Sequence, residues 1–185
     1  MRVRLIYILF ISLMLSCKSS KTVIDDTHLI HDLVASKKFK FTGVSASPMV
    51  TQSLTAVANS GLIPPGSSIS RIDLNGTNNY LKIKGDSVSA NLPFFGERQF
   101  GGGYGASTGI EFDGIPNNYE QLFNADKQKY TISFQIADTS DLYNVHIDVY
   151  PNKSSVVSVN MANRNAIQYN GNINSIEEEE PVQNE

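Results

Sequence analysis

The 185-residue chain has one cysteine and no tryptophan. A single thiol excludes a disulfide framework and any cysteine-rich zinc site, so the fold must stand on its apolar core. Basic residues are few and scattered. Lys and Arg number 15 against 18 Asp and Glu, the formal net charge is −3, and the longest basic run is the pair Lys37-Lys38. Nucleic acid is therefore not an expected partner. The chain also lacks an apolar run long enough to span a membrane as a helix: Leu5 to Leu15, broken only by Ser12, is about eleven residues where roughly 20 are needed. Strand and helix patterns do not alternate, which excludes a doubly wound parallel sheet.

That apolar run follows the basic start Met1-Arg2-Val3-Arg4 and ends at Ser16-Cys17, the pattern of a secretory signal peptide over residues 1–16. The only cysteine stands directly after a small residue and resembles the lipobox of bacterial lipoproteins. The resemblance implies cleavage between Ser16 and Cys17 and a diacylated Cys17 as the first mature residue. Met14 and Leu15 depart slightly from the commonest lipobox residues. Residues 17–26, ending in Lys18 to Asp26 (KSSKTVIDD), have the composition of a flexible tether. No Asp follows Cys17, and no acidic run occupies Lys18-Ser19-Ser20. By resemblance to known lipoprotein sorting rules, this points to the periplasmic face of the outer membrane in the cell envelope. Glu177 to Glu185 (EEEEPVQNE) reads as a solvated acidic tail. About 145 residues are left, within 27–176, enough for one domain.

Within that domain, Thr27 is a candidate N-cap, and Leu29, Ile30, Leu33 and Val34 form one stripe of a short helix ending near Lys37. Beyond Phe39 the period becomes two. Leu81 and Ile83, then Val88, Ala90 and Leu92, alternate with polar residues on either side of Gly85-Asp86, which predicts a hairpin with a two-residue turn. Tyr130, Ile132, Phe134 and Ile136 predict one half-buried strand, and Tyr143, Val145, Ile147 and Val149 another. Pro151-Asn152 turns the chain into Ser155 to Asn160, and Ala166 to Ile173 carries the left-handed-tolerant pair Asn170-Gly171. With Phe39 to Ser45, Ile69 to Leu74 and Gly109 to Asp113, the count is eight or nine antiparallel strands in a single sandwich or barrel with one short N-terminal helix.

Motifs that mimic chemistry do not hold up. Gly105-Ala106-Ser107-Thr108-Gly109 spells a nucleophile elbow but precedes a strand rather than a helix, so Ser107 reads as a loop serine. Gly101 to Gly105 lacks the helix and acidic residue of a dinucleotide fingerprint. His28 and His31 have no third ligand at a recognisable spacing, and His146 lies on the polar face of its strand. Glu111 with Asp113, and Asp138 with Asp141, fall at strand ends and turns, where Asp caps locally. No catalytic residue, metal site or cofactor is expected.

Asn91-Leu92-Pro93-Phe94-Phe95-Gly96-Glu97-Arg98, preceded by the hairpin and followed by the glycine-rich stretch and Gly109-Ile110-Glu111-Phe112, resembles the L-P-Y-F-G segment of domain of unknown function 4251, found in Bacteroidetes lipoproteins. Phe94 replaces the usual tyrosine. The likeness runs from Phe39-Lys40-Phe41 through Pro48 to Ile167-Gln168-Tyr169-Asn170-Gly171, usually I-x-Y-x-G. Ser53 to Ser68 is longer than the family pattern. The resemblance implies a fold but no reaction. Physically, Pro93 ends the hairpin arm, Phe94 and Phe95 bring two rings to the sheet's rim with Phe95 turned back toward the core, and Gly96 lets the backbone turn away. Phe94, Phe95 and Tyr104 are the candidate contacts for an apolar or glycan ligand. The expected function is a non-enzymatic ligand-binding or scaffold domain held to the membrane by lipid. An interaction domain using an exposed sheet edge, with another envelope protein as its partner, is the alternative, and a hydrolase with an unrecognised site ranks last.

Overall fold

The computed structural model describes residues 27–99, 108–138 and 141–176. The expected signal peptide, Cys17, the expected tether, Gly101 to Ser107 with Tyr104, and the acidic C-terminal run lie outside the described residues.

Helix α1 (Thr27–Ala35) buries Ile30 and Val34 completely and packs Leu33 against the core. It ends two residues before Lys37, which takes a left-handed φ of 50° while its N–H reaches back to Val34 O, a common way to close a helix. The chain then enters β1 (Lys38–Pro48). A second helix, α2 (Gln52–Asn59), and the two-residue β2 (Ile72–Asp73) precede the hairpin β3 (Tyr80–Lys84) and β4 (Ser87–Leu92). After these come β5 (Ile110–Gly114), β6 (Asn117–Asn124), β7 (Lys129–Ala137), β8 (Leu142–Val149), β9 (Ser154–Met161) and β10 (Ile167–Ser175).

The strands form one antiparallel sheet in the order β5-β4-β3-β1-β10-β9-β8-β7-β6, with β2 paired to β1. The sheet curls into a half-barrel. Its concave face is the core: Phe39 and Phe41 of β1, Leu81 and Ile83 of β3, Ile132 and Phe134 of β7, Val157 and Val159 of β9. Phe112 of β5 meets Phe134 edge-on across the interior, ring centroids 6.2 Å apart. The hairpin sits in the expected register, Lys84 opposite Ser87, with Gly85 at φ 63°.

Three elements differ from expectation. Strand β6 is additional: Asn117 to Asn124 (NNYEQLFN) has no clean alternation because it is an edge strand with no fully buried residue. Helix α2 also buries none of its residues, so no periodic core stripe marked it. Asn170-Gly171, a pair that tolerates the left-handed conformation, does not adopt it but lies inside β10, where Gly171 faces a register shift in β1 between Gly43 and Ser45. A Cβ on Gly171 would stand 2.1 Å from Thr42 O. The glycine is there because the neighbouring backbone comes too close for anything larger.

Candidate functional site

At one pole of the sheet, β4 leaves the ladder at Pro93. Phe94 and Phe95 are both half-buried against the core, and the Phe94 ring lies over Gly96, where a Cβ would meet Phe94 Cζ at 2.6 Å. The other side of this corner is cationic. The Arg164 guanidinium sits 5.4 Å from the centre of the Phe94 ring, and its Nη1 donates to Gly109 O at 2.6 Å.

After the corner the chain pairs again. Arg98 forms an antiparallel bridge with Arg164, flanked by Gln99 N to Asn163 O and Asn165 N to Glu97 O. Directly opposed residues in such a bridge point to the same side, so two cations are brought together there. Asp141 lies between them, its carboxylate wholly buried, 3.0 Å from Arg164 Nη2 and 3.4 Å from Arg98 Nη2. Asp138 does cap its turn, accepting from Asp141 N at 2.7 Å, and it also accepts the Tyr143 hydroxyl at 3.1 Å. Sequence reading placed Asp141 at an ordinary turn and assigned Arg164 nothing, because the pairing of residues 97–99 with 163–165 leaves no local pattern.

Tyr169 closes the pole, its buried hydroxyl donating to Pro93 O at 2.8 Å. Burial pushes its phenol well above the usual range, and the nearby Arg164 charge offsets only part of that. Phe94 and Phe95 thus belong to a packed, ion-paired corner.

A different surface has the geometry of a binding face. On the side of the sheet away from the core, β6 to β9 form a shallow groove of about 310 Å³ lined by polar side chains, among them Asn118, Glu120, Gln135, Asn144, His146 and Asn160. Asn118, which lines the groove, has a left-handed φ of 52° at an irregularity between Asn117 and Glu120. Asn118 Nδ2 donates to Gln135 Oε1 at 3.2 Å and Gln135 Nε2 to Asn144 Oδ1 at 2.8 Å; Asn160 is opposite Asn144 on the next strand. Each terminal amide keeps an unused end: Asn118 Oδ1 and Asn144 Nδ2 make no hydrogen bond among the described residues. A parallel row sets Glu120 opposite Ser133, Ser133 opposite His146 and His146 opposite Ser158.

Below these rows Asp148 is held by Lys129 and by Thr131 Oγ1 at 2.8 Å. Burial opposes its charge, but those two hydrogen bonds and the charges of Lys129 and His146 outweigh it and keep the carboxyl below its usual range. His31, on α1, bonds Tyr130 and packs at a tilt against Phe123, ring centroids 4.6 Å apart, so it anchors the helix. Among the described residues no three His, Cys, Asp or Glu side chains come together as a metal site.

The model of the domain of unknown function DUF4251 matches residues 25–173. The chain belongs to the DUF4251 family. A crystal structure of a DUF4251 family protein from Bacteroides eggerthii DSM 20697 is similar over 81% of this chain and 87% of that one, with a TM-score of 0.54 at 10% identity. That likeness is one of fold. Comparison with curated proteins gave no match. The two DUF4251 motif segments of this chain meet physically: Tyr169 of the I-x-Y-x-G segment holds Pro93 of the L-P-F-F-G segment, and the glycine of each stands where a Cβ would collide.

Proposed function

We propose that this DUF4251 protein is a lipid-tethered, non-catalytic binding domain of the cell envelope whose ligand is a polyhydroxylated molecule of the glycan class, taken up in the groove across β6 to β9. The observation carrying this reading is the amide ladder Asn118–Gln135–Asn144. Amides offer both donors and acceptors, as hydroxyl and acetamido groups require. Bonding to one another fixes their orientation before a ligand arrives, which lowers the ordering cost of binding. Glu120 and His146, at the groove's second row, extend the polar contacts. The lipobox-like Ser16-Cys17 and the polar tether supply the membrane attachment.

Pairing through an open sheet edge is the weaker reading. Edge strand β5 turns the exposed acids Glu111 and Asp113 outward, and edge strand β6 begins with an irregularity; both devices discourage strand addition.

Native mass spectrometry of the protein released from its own membranes with mild detergent tests the proposal. A carbohydrate adduct on the wild type that disappears in Gln135→Leu supports it. An adduct retained in Gln135→Leu and lost in Phe94→Ala would move the site to the aromatic corner.

A further inference from the structure

Strand register gathers charge that the sequence keeps apart. Lys38 stands directly opposite Lys84, and Lys40 opposite Lys82. Their neighbours Phe39, Phe41, Leu81 and Ile83 are buried, so the four lysines project from the convex side of the sheet, in two rungs about 7 Å apart. Like charges directly opposed across strands are destabilising, and the surrounding strands bring no relief: β4, β3, β1 and β10 contain no Asp or Glu. Tyr80 takes up part of the charge, its ring centre 4.6 Å from Lys82 Nζ and 5.8 Å from Lys40 Nζ. The acids next in line serve elsewhere. Asp86, in the β3–β4 turn, pairs with Lys37 at 3.6 Å, and Asp113 on β5 is opposite Ser89, with β4 between it and β3.

The chain itself carries the complement. Ile176 N donates to Lys38 O at 3.3 Å, so the backbone leaves β10 on the rung of Lys38 and Lys84, and the next four residues, Glu177 to Glu180, are all acidic. Four carboxylates thus follow at the edge of four ammonium groups. Lys84 lies two strand spacings from Ile176, about 10 Å, and four residues reach about 13 Å, so the run is long enough to cross the patch. A single exposed Lys–Glu pair is worth little, but several charges in a network count for more. Covalent linkage beside the patch also gives these carboxylates a high effective concentration there. An anion arriving from solution, or a lipid headgroup, has to compete with them.

We infer that the convex patch formed by Lys38, Lys40, Lys82 and Lys84 is the docking site of the chain's own Glu177–Glu180 run, an electrostatic strap that cancels the charge of the patch and withholds it from other polyanions. Carbodiimide cross-linking of the full chain in its membrane tests this, because the reagent joins a carboxylate to an amine only where the two touch. Glu177 is left out of the count, since its peptide link to Ile176 alone keeps it near Lys38. Lys153 is the fair comparison: it is exposed, and its carbonyl accepts from Ile173 N, which puts it beside β10 on the flank away from β1. At about 50 mM salt, links from Glu179 and Glu180 to Lys40, Lys82 or Lys84 should exceed those to Lys153 at least tenfold, and they should fall at least fivefold at about 1 M salt, where charges are screened within about 3 Å. Cutting by a glutamate-specific protease gives a second reading. Lys82→Gln with Lys84→Gln should speed cleavage within Glu177–Glu180 at least fivefold, whereas Lys82→Arg with Lys84→Arg, which keeps the charge, should leave it slow. Equal link yields at Lys153 and at the patch, or cleavage indifferent to the glutamine pair, would overturn the strap. So would links that reach the patch only after detergent release, which would assign it to anionic lipid.

Discussion

Arg98 and Arg164 stand directly opposite one another in an antiparallel bridge, and both reach the single buried carboxylate of Asp141. Like charges opposed across strands are destabilising, so the acid holds the pairing together. Asp141→Asn should therefore cost about 3–5 kcal/mol, the usual loss when one partner of a buried ion pair is removed. Replacing the buried pair together, Asp141→Leu with Arg164→Met, should cost less than Asp141→Asn alone, because no uncompensated charge remains at Arg164. Urea unfolding midpoints check this; equal losses for the single and double variants would refute it.

The two motif glycines should differ in a measurable way. Gly171→Ala drives a methyl against Thr42 O, a backbone atom, so relief requires the β1–β10 ladder to shift; a loss of about 2–3 kcal/mol is expected. Gly96→Ala meets only the Phe94 ring, which can swing off Arg164. Phe94→Ala, truncating a half-buried ring, should cost about 2 kcal/mol, and adding Gly96→Ala to Phe94→Ala should cost nothing further. A double-mutant cycle measures that coupling; independent, additive losses would show that the ring and the glycine do not share this space.

Stability should fail at both ends of the pH scale for different reasons. Burial pushes the Tyr119 phenol up to about 12, and Tyr143 and Tyr169 higher still, against an unfolded value of about 10. Raised acids leave stability intact below about pH 10, and it is lost as pH rises toward 12 because the unfolded chain releases those protons first. Asp148 is depressed instead, so its contribution is present above its unfolded value near 4 and is lost as pH falls through its lower folded value. Tyrosinate absorbance and near-ultraviolet circular dichroism followed together should show a late ionisation step coinciding with unfolding. Complete ionisation with the fold intact would contradict the burial of these rings.

The strands with a buried face were legible because alternation is a local signal. Ile132, Phe134 and Ile136, or Val145, Ile147 and Val149, declare their inward side without reference to anything distant. Strand β6 and helix α2 were not, since neither buries a residue and burial is what writes periodicity into sequence. The polar groove was half legible: the outward positions Gln135, Asn144 and His146 were seen as a solvent face, but their alignment into rows depends on strand order and register. The Arg98–Asp141–Arg164 cluster joins three separate connections and leaves no trace in any one of them.

The proposed membrane attachment rests on one group, the Cys17 thiol. Palmitate fed to growing cells should label the wild type and fail to label Cys17→Ala or Cys17→Ser. Equal labelling of all three would remove the tether from the account.

The claim that the groove is the binding face is tested most directly by following the side-chain amide resonances of Asn118, Gln135 and Asn144 during titration with tri-N-acetylchitotriose, a soluble probe carrying hydroxyl and acetamido groups. The account predicts saturable shifts at these amides and at the His146 ring, with the apparent Kd weakened at least tenfold in Gln135→Leu. Shifts confined to the Phe94–Phe95 corner, or no shift at millimolar probe, would contradict it.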